Sequence, residues 1–425
     1  MSAEVPGASD TATAPEAPPL PLLARPKNPS VLLIESTDGL AEAVATLAGA
    51  TGPFSLDAER ASGFKYSARA YLVQVQRGNS PIYLIDPVGV SESSEPAAFV
   101  ELAKVLASDL WILHAATQDL ACLAELGLRP SALFDTELGG RLAGFSRVGL
   151  GAMAEQIMGL RLAKEHSAVD WSQRPMHDDW LNYAALDVDV LPELMAGVEK
   201  ALVDANKLEF ARQEFENLLT FAPKPPKPDR WRGMTGLHEV KDQQRLAVAR
   251  SLWQAREALA IKMDVAAGRL IPDSSIVAVV KTPVHTRSEL AGRRDFTGRA
   301  SRTYLDTWWR AIEDGLASRD LPPLRLPSVG MPNYRNWANK FPAADARLNA
   351  LKPVMAAIGE SYGMPVENVL TPDLMRQLAW EPPAEVNVDT VTKKLASMGA
   401  RNWQCEAVAE AFVAALSSAA VSAID

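Results

Sequence analysis

Three short stretches of this chain carry residues with chemical potential. Leu56-Asp57-Ala58-Glu59 alternates apolar and acidic residues, and on a β-strand that alternation sends both carboxylates to one face. Two like charges that close repel unless a cation lies between them, and a hard divalent ion with oxygen ligands is an economical partner. A lone Asp-x-Glu also suits a solvent-facing strand edge. The second stretch, His114-Ala-Ala-Thr-Gln-Asp119, lies where a strand pattern gives way to a helical one. Asp119 falls in the first helical turn, the usual place for ligands in an α/β sheet, although a carboxylate there also complements the helix dipole. The third is Tyr183-Ala-Ala-Leu-Asp187, whose spacing of four puts phenol and carboxylate on one helix face; an ordinary neighbour pair has the same spacing. Asp189 falls on a different face. Together Asp57, Glu59, Asp119 and Asp187 offer four carboxylates with no His or Cys among them, a donor set that suits Mg²⁺ or Mn²⁺. Two such ions can clamp an in-line phosphoryl displacement.

Positioning those groups requires a sheet with helices against it. Val31–Ile34 reads as a short apolar strand, with a helical pattern from Gly39 to Leu47. Strand-like runs follow at Phe54–Glu59, Tyr71–Gln76 and Ile82–Ile85, the last two joined by the turn Gly78-Asn79-Ser80-Pro81 and expected to pair as a hairpin. Helical patterns at Ala97–Leu106 and Gln118–Leu126 then alternate with strands at Trp111–His114 and Leu133–Asp135, and helices continue to about residue 220. The expected class is a mixed α/β sheet. Pro223-Lys-Pro-Pro-Lys-Pro228 reads as a stiff linker. Beyond it the sequence reads as helical only, with a second break at Leu321-Pro-Pro-Leu-Arg-Leu-Pro327. The expected domains are therefore residues 29–222, 230–312 and 320–425, preceded by a tail, residues 1–28, too poor in aromatics and too rich in Ala, Pro, Ser and Thr to order itself.

Composition excludes several classes. With 48% hydrophobic and 22% charged residues the chain is neither wholly disordered nor fibrous. Its two cysteines, Cys122 and Cys405, provide no disulfide framework and no thiolate zinc site, and five histidines without paired spacing argue against a His-based metal site. The longest apolar stretch, Ala407 to Ile424, is interrupted by Glu410 and serines and reads as a core-facing helix. The N-terminus lacks a basic segment followed by an apolar run, so a cytoplasmic protein is expected. The net charge of −9 conceals an asymmetry: residues 1–222 hold 16 basic against 30 acidic residues, and residues 230–310 hold 15 against 8. An acidic half that can hold cations, joined to a basic module that can hold phosphates, fits a nucleic-acid enzyme.

The motifs resemble the ribonuclease D family, in the Tyr-containing branch of the DEDD exonuclease superfamily. Asp57 and Glu59, Asp119, and Tyr183 with Asp187 match its three exonuclease motifs in order, His114 to Asp119 matches the His-Ala-x-x-x-Asp form of the second, and Val169-Asp-Trp-Ser-Gln-Arg-Pro175 resembles the stretch before the third. The resemblance implies a ribonuclease H-like nuclease domain followed by HRDC-type helical domains. It implies two Mg²⁺ or Mn²⁺ ions held by Asp57, Glu59, Asp119 and Asp187, with Tyr183 orienting the attacking water and Glu59 touching the terminal ribose hydroxyl. The implied reaction is 3′→5′ exoribonuclease hydrolysis releasing nucleoside 5′-monophosphates, on RNA with a free 3′ end such as tRNA precursors. A preference for DNA, single-stranded DNA included, and an inactive nucleic-acid-binding scaffold are the alternatives; the intact set of five residues speaks against the scaffold. Oligomeric state stays open, and a monomer is compatible. Arg60 stands where the family often has an aromatic residue, free to meet a phosphate or to turn toward water. Lys164 and His166 are placed to face an incoming strand. In the basic module, Arg287, Arg293, Arg294, Arg299 and Arg302 form either a phosphate-binding face or a solvated one. Trp308 and Trp309 read as core, and Asp135 in Phe134-Asp135-Thr136 as a structural group.

Overall fold

The computed structural model describes residues 19–163, 168–223, 225–326 and 330–421. The first half contains β1 (Leu22–Leu23), β2 (Val31–Ile34), α1 (Thr37–Gly49), β3 (Phe54–Arg60), β4 (Ala70–Arg77), β5 (Ile82–Ile85), α2 (Pro87–Val90), α3 (Val100–Leu106), β6 (Trp111–Leu113) and α4 (Leu120–Glu125). It continues through β7 (Leu133–Asp135), α5 (Thr136–Ala143), α6 (Leu150–Met158), β8 (Arg161–Leu162), α7 (Asp178–Asp189), α8 (Leu191–Asp204) and α9 (Leu208–Leu218).

Six strands form one mixed sheet in the order β2-β5-β4-β3-β6-β7. β3, β4 and β5 are antiparallel neighbours, whereas β2, β6 and β7 join in parallel. The expected hairpin closes at Gly78, whose φ is +53° and where a Cβ would sit 2.6 Å from the Thr51 carbonyl oxygen; only glycine fits both demands. Strand alternation divides the sheet into two faces. Phe54, Leu56, Val73, Val75 and Ile85 pack into one core, while Leu72, Leu84 and Ile112 pack into another with Ala184, Ala185 and Val188 of α7. The odd-numbered acidic positions of β3 therefore face α7, and this places the site.

The helical half begins with α10 (Gln243–Met263), which crosses the helix Leu305–Ala317 so closely that a Cβ at Gly315 would lie 2.5 Å from Val248 Cα. Trp231, Leu252, Phe296 and Trp308 fill its core. The domain grips the loop that leaves β3: Tyr66 donates its hydroxyl to Glu257 (2.9 Å), and Asp264 accepts from Ser67 N (2.8 Å) and from the Tyr71 hydroxyl (3.1 Å). The last helical segment shares a continuous core with the nuclease half. Phe210 of α9 stacks on Trp403 at 4.6 Å, and Glu214 accepts from Trp403 Nε1 (2.9 Å) and Arg401 Nε (2.8 Å).

Part of the expected tail is ordered. Residues 1–18 lie outside the described residues, but Leu22–Leu23 pairs with Arg161–Leu162, and the backbone N–H groups of Lys27 and Asn28 donate to Asp189 at 2.6 and 3.3 Å. Long-range pairing, invisible in a Pro-rich composition, orders residues inside the stretch expected to be a tail. Among the described residues no helix is long and apolar enough to cross a membrane.

Candidate active site

β3 enters the site with Asp57 opposite Gln74 and Glu59 opposite Leu72, and its register with β4 shifts between Glu59 and Arg60. β6 lies parallel beside it, pairing Ser55 with Ile112. The chain leaving β6 turns sharply at Ala115, a non-glycine residue with φ of +59°, a conformation that costs free energy unless the surroundings hold it. Asp135 does so: its carboxylate accepts from Ala115 N (3.0 Å) and Ala116 N (2.8 Å), and also from Glu137 N (2.9 Å) and Leu138 N (3.1 Å) at the start of α5. A short 3₁₀ turn, Ala116–Gln118, then delivers Asp119 as the residue before α4. From the opposite side, α7 packs across the sheet and presents Tyr183 and Asp187 one turn apart. The approach to α7 is pinned by Arg174, which bonds the buried Asp86 carboxylate through two nitrogens (2.5 and 2.7 Å) and the Tyr71 carbonyl through Nη2 (2.9 Å).

These elements bring all five expected residues into one cleft of about 250 Å³. Oxygens of Asp57, Glu59 and Asp187 lie within 4.8 Å of one another, and Asp119 shares a hydrogen bond with Asp57. Tyr183 donates to Asp187. Burial, followed by repulsion from Asp57, Asp187 and Asp119, pushes the Glu59 carboxyl up to about 10. Burial likewise raises Asp57, Asp119 and Asp187 above the usual carboxylate range, aided at Asp119 and Asp187 by the charge of Asp57. Burial and the neighbouring carboxylates also raise the Tyr183 phenol, which therefore stays a protonated donor. Four carboxylates, Asp119 and Asp187 buried and Asp57 and Glu59 half-buried, with oxygen donors only form a poor resting arrangement and a good cage for hard divalent cations; the residues fit the ions that the sequence implies.

Arg60 does not turn away: Nη2 stands 3.8 Å from Asp119 Oδ1 on the cleft wall. His114 also lines the cleft. Burial pushes its imidazole down to about 4, and Nδ1 meets Thr136 Oγ1 at 2.9 Å. The Thr136 hydroxyl also lies 3.2 Å from the Leu113 carbonyl oxygen, and the ring is neutral at physiological pH.

Lys164 and His166 lie outside the described residues. Arg293 is drawn into local contacts, with Nη2 on Asp295 (2.7 Å) and Nη1 on the Thr282 carbonyl (2.8 Å), whereas Arg294 is exposed. Arg287 pairs with Asp306 at 2.5 Å. Trp308 is fully buried and Trp309 packs partly buried against the same core. Asp189, on the other face of α7, holds the N-terminal segment. The sequence signalled neither the Arg174–Asp86 pair nor the burial of Gln74 beneath α7, because both depend on which elements cover the sheet.

Residues 32–202 match a family model described as 3′-5′ exonuclease, residues 245–312 one described as HRDC domain, and residues 330–416 one described as 3′ to 5′ exonuclease C-terminal domain. The chain is 27% identical over 370 residues to a ribonuclease D of Gluconacetobacter diazotrophicus, covering 84% of this chain and 88% of that one. It is 26% identical over 338 residues to a ribonuclease D of Jannaschia sp., covering 78% and 84%. Among solved structures, a protein from Bifidobacterium adolescentis is similar with a TM-score of 0.84 and 35% identity, over 94% of this chain and all of that one. Escherichia coli RNase D shares the fold, with a TM-score of 0.64 and 23% identity over 91% and 99%.

Proposed function

Because this chain belongs to the ribonuclease D family and is a 3′→5′ exoribonuclease dependent on divalent metal, we propose that Asp57, Glu59, Asp119 and Asp187 hold two Mg²⁺ or Mn²⁺ ions and that Tyr183 positions the attacking water. The observation that carries this reading is the convergence of Asp57, Glu59 and Asp187 oxygens within 4.8 Å, with Asp119 bonded to Asp57. When bound, the ions supply a nucleophilic water near neutral pH and stabilise the charge on the departing 3′ oxygen.

This chain's residues do the rest. Asp57 and Glu59 on the strand and Asp187 on the helix set the separation of the ligands. Tyr183, held protonated against Asp187, orients the water by hydrogen bonding and does not act as a strong base. Glu59, one of the three clustered carboxylates, is also available to the terminal ribose hydroxyl. Arg60 partly offsets the carboxylate charge through Asp119 and is within the cleft to meet the scissile phosphate. The product is a nucleoside 5′-monophosphate, and the natural substrates are structured RNAs with free 3′ ends, tRNA precursors among them. The nuclease occupies residues 29–222, and the helical domains, residues 230–312 and 320–425, hold the RNA, with exposed Arg294 as one phosphate contact.

Matched RNA and DNA strands, each with a 3′-hydroxyl or a 3′-phosphate end, test this reading. Shortening of the RNA with a free 3′ end is expected to be fastest. Equal rates on both polymers would point to a DNA-tolerant exonuclease, and no shortening of any strand would overturn the reading.

A further inference from the structure

Gln74 lies in the middle of β4 with no exposed surface, and neither its Oε1 nor its Nε2 makes a hydrogen bond among the described residues. A buried amide left in that state costs free energy, and a native fold keeps such a group for a reason. Its position identifies the reason. In the antiparallel register Gln74 stands directly opposite Asp57, so the two side chains share a face with Cβ atoms about 5 Å apart. Its neighbour across the other strand is Leu84. Leu84, and Leu72 two residues before Gln74, pack with Ala184, Ala185 and Val188, the turn of α7 that contains Asp187. Gln74 thus occupies the layer between the strand and the helix that supply two of the candidate ligands.

We propose that Gln74 is a positioning residue whose amide N–H donates to the Asp57 or Asp187 carboxylate when that carboxylate ligates a divalent cation. This rests on the reading of the cleft as a metal site. A ligating carboxylate uses one oxygen lone pair on the metal and needs a donor on another to hold its orientation, and loss of such an outer partner costs about 10–100-fold in metal affinity. Lining the same layer with leucine would have sealed the core equally well; the amide supplies the donor that the leucines around it cannot.

The test is calorimetric titration of Mn²⁺ into the full-length protein, with melting in EDTA as the fold control. The variants are Gln74→Leu and, should that chain fail to fold, Gln74→Met. Gln76→Leu, on the same face but opposite Ser55, serves as a positional control. The Gln74 variant is expected to melt in EDTA at or above the wild-type temperature and to bind Mn²⁺ about tenfold more weakly, while Gln76→Leu binds it as the wild type does. Wild-type Mn²⁺ affinity in a folded Gln74 variant would overturn the role of Gln74 and leave the metal site standing, as would equal weakening by Gln76→Leu. Absence of Mn²⁺ binding by the wild-type protein would overturn the metal site itself.

Discussion

Asp57 at the centre of β3 and Asp187 near the end of α7 place carboxylate oxygens within 4.8 Å of each other, with Glu59 the third member of the group. Nothing between them in sequence prepares that approach except the packing of α7 across β3, β4 and β5, which buries Ala184, Ala185 and Val188 on Leu72, Leu84 and Ile112. The small residues Ala184 and Ala185 let the helix axis come close to the sheet. The approach of like charges is the source of the site's chemistry and of its instability without cations.

That instability is measurable. Burial and mutual repulsion raise the site's carboxyls, Glu59 to about 10 from 4.5. A carboxyl raised in the folded state contributes stability that is complete below its unfolded pKa and is lost as pH rises toward the folded value. In EDTA the melting temperature should therefore fall between pH 5 and 9. Asp187→Asn should flatten the fall and melt roughly 2–4 °C above wild type at pH 8. Differential scanning calorimetry in EDTA checks this, and a wild-type protein that gains stability over that range would count against it.

Tyr183→Phe removes the phenol that bonds Asp187 and keeps the ring. The turnover rate at saturating Mn²⁺ should fall about a hundredfold, whereas Mn²⁺ affinity should fall by no more than about tenfold, the cost of losing one donor on the Asp187 carboxylate. Stopped-flow cleavage of labelled RNA and Mn²⁺ titration separate the two effects. A matching loss of Mn²⁺ affinity would make the residue part of the cage.

Asp135 holds the left-handed Ala115 turn that aims Asp119. In Asp135→Asn the amide would face one of the backbone N–H donors, at a cost of about 1–3 kcal/mol. The expected signature is faster amide exchange at Ala115 and Ala116 together with lower activity. Unchanged exchange there would mean that another group carries the turn.

The exposed arginines of the basic domain, Arg294, Arg299 and Arg302, are expected to add affinity and leave the chemistry alone. Replacing all three with alanine should make log affinity less steep against log salt, by about 0.7 for each phosphate that an arginine neutralises on a single strand, with the maximal rate unchanged. Filter binding across a salt series reads the slope; an unaltered slope would assign the RNA path to another face.

What is legible in the chain, and what is not, follows the range of the forces involved. The alternation in Leu56–Glu59, the turn at Gly78 and the four-residue spacing of Tyr183 and Asp187 are local, so strand, hairpin and helix face all occur where the sequence places them. Local pattern also separates Asp187 from Asp189. Long-range cover is different. Gln74 and Gln76 alternate with Val73 and Val75, a pattern that does not tell which face is covered, and α7 lies over the face that carries Gln74. Leu22–Leu23 gains order from Arg161–Leu162, and Trp403 joins the nuclease core through Phe210. Arg293 reads in sequence as free to reach a phosphate, yet Asp295 and the Thr282 carbonyl hold its guanidinium.

In the proposed reading, acidic groups from three separated stretches hold the ions on which cleavage depends. The most direct measurement follows a 5′-labelled RNA with a free 3′ hydroxyl, with Mg²⁺ or EDTA, for the wild type and Asp57→Asn. Stepwise shortening from the 3′ end is expected, and it should stop in EDTA and in the variant, while RNA affinity changes less than about twofold. Undiminished shortening by folded Asp57→Asn, or by the wild type in EDTA, would contradict that reading.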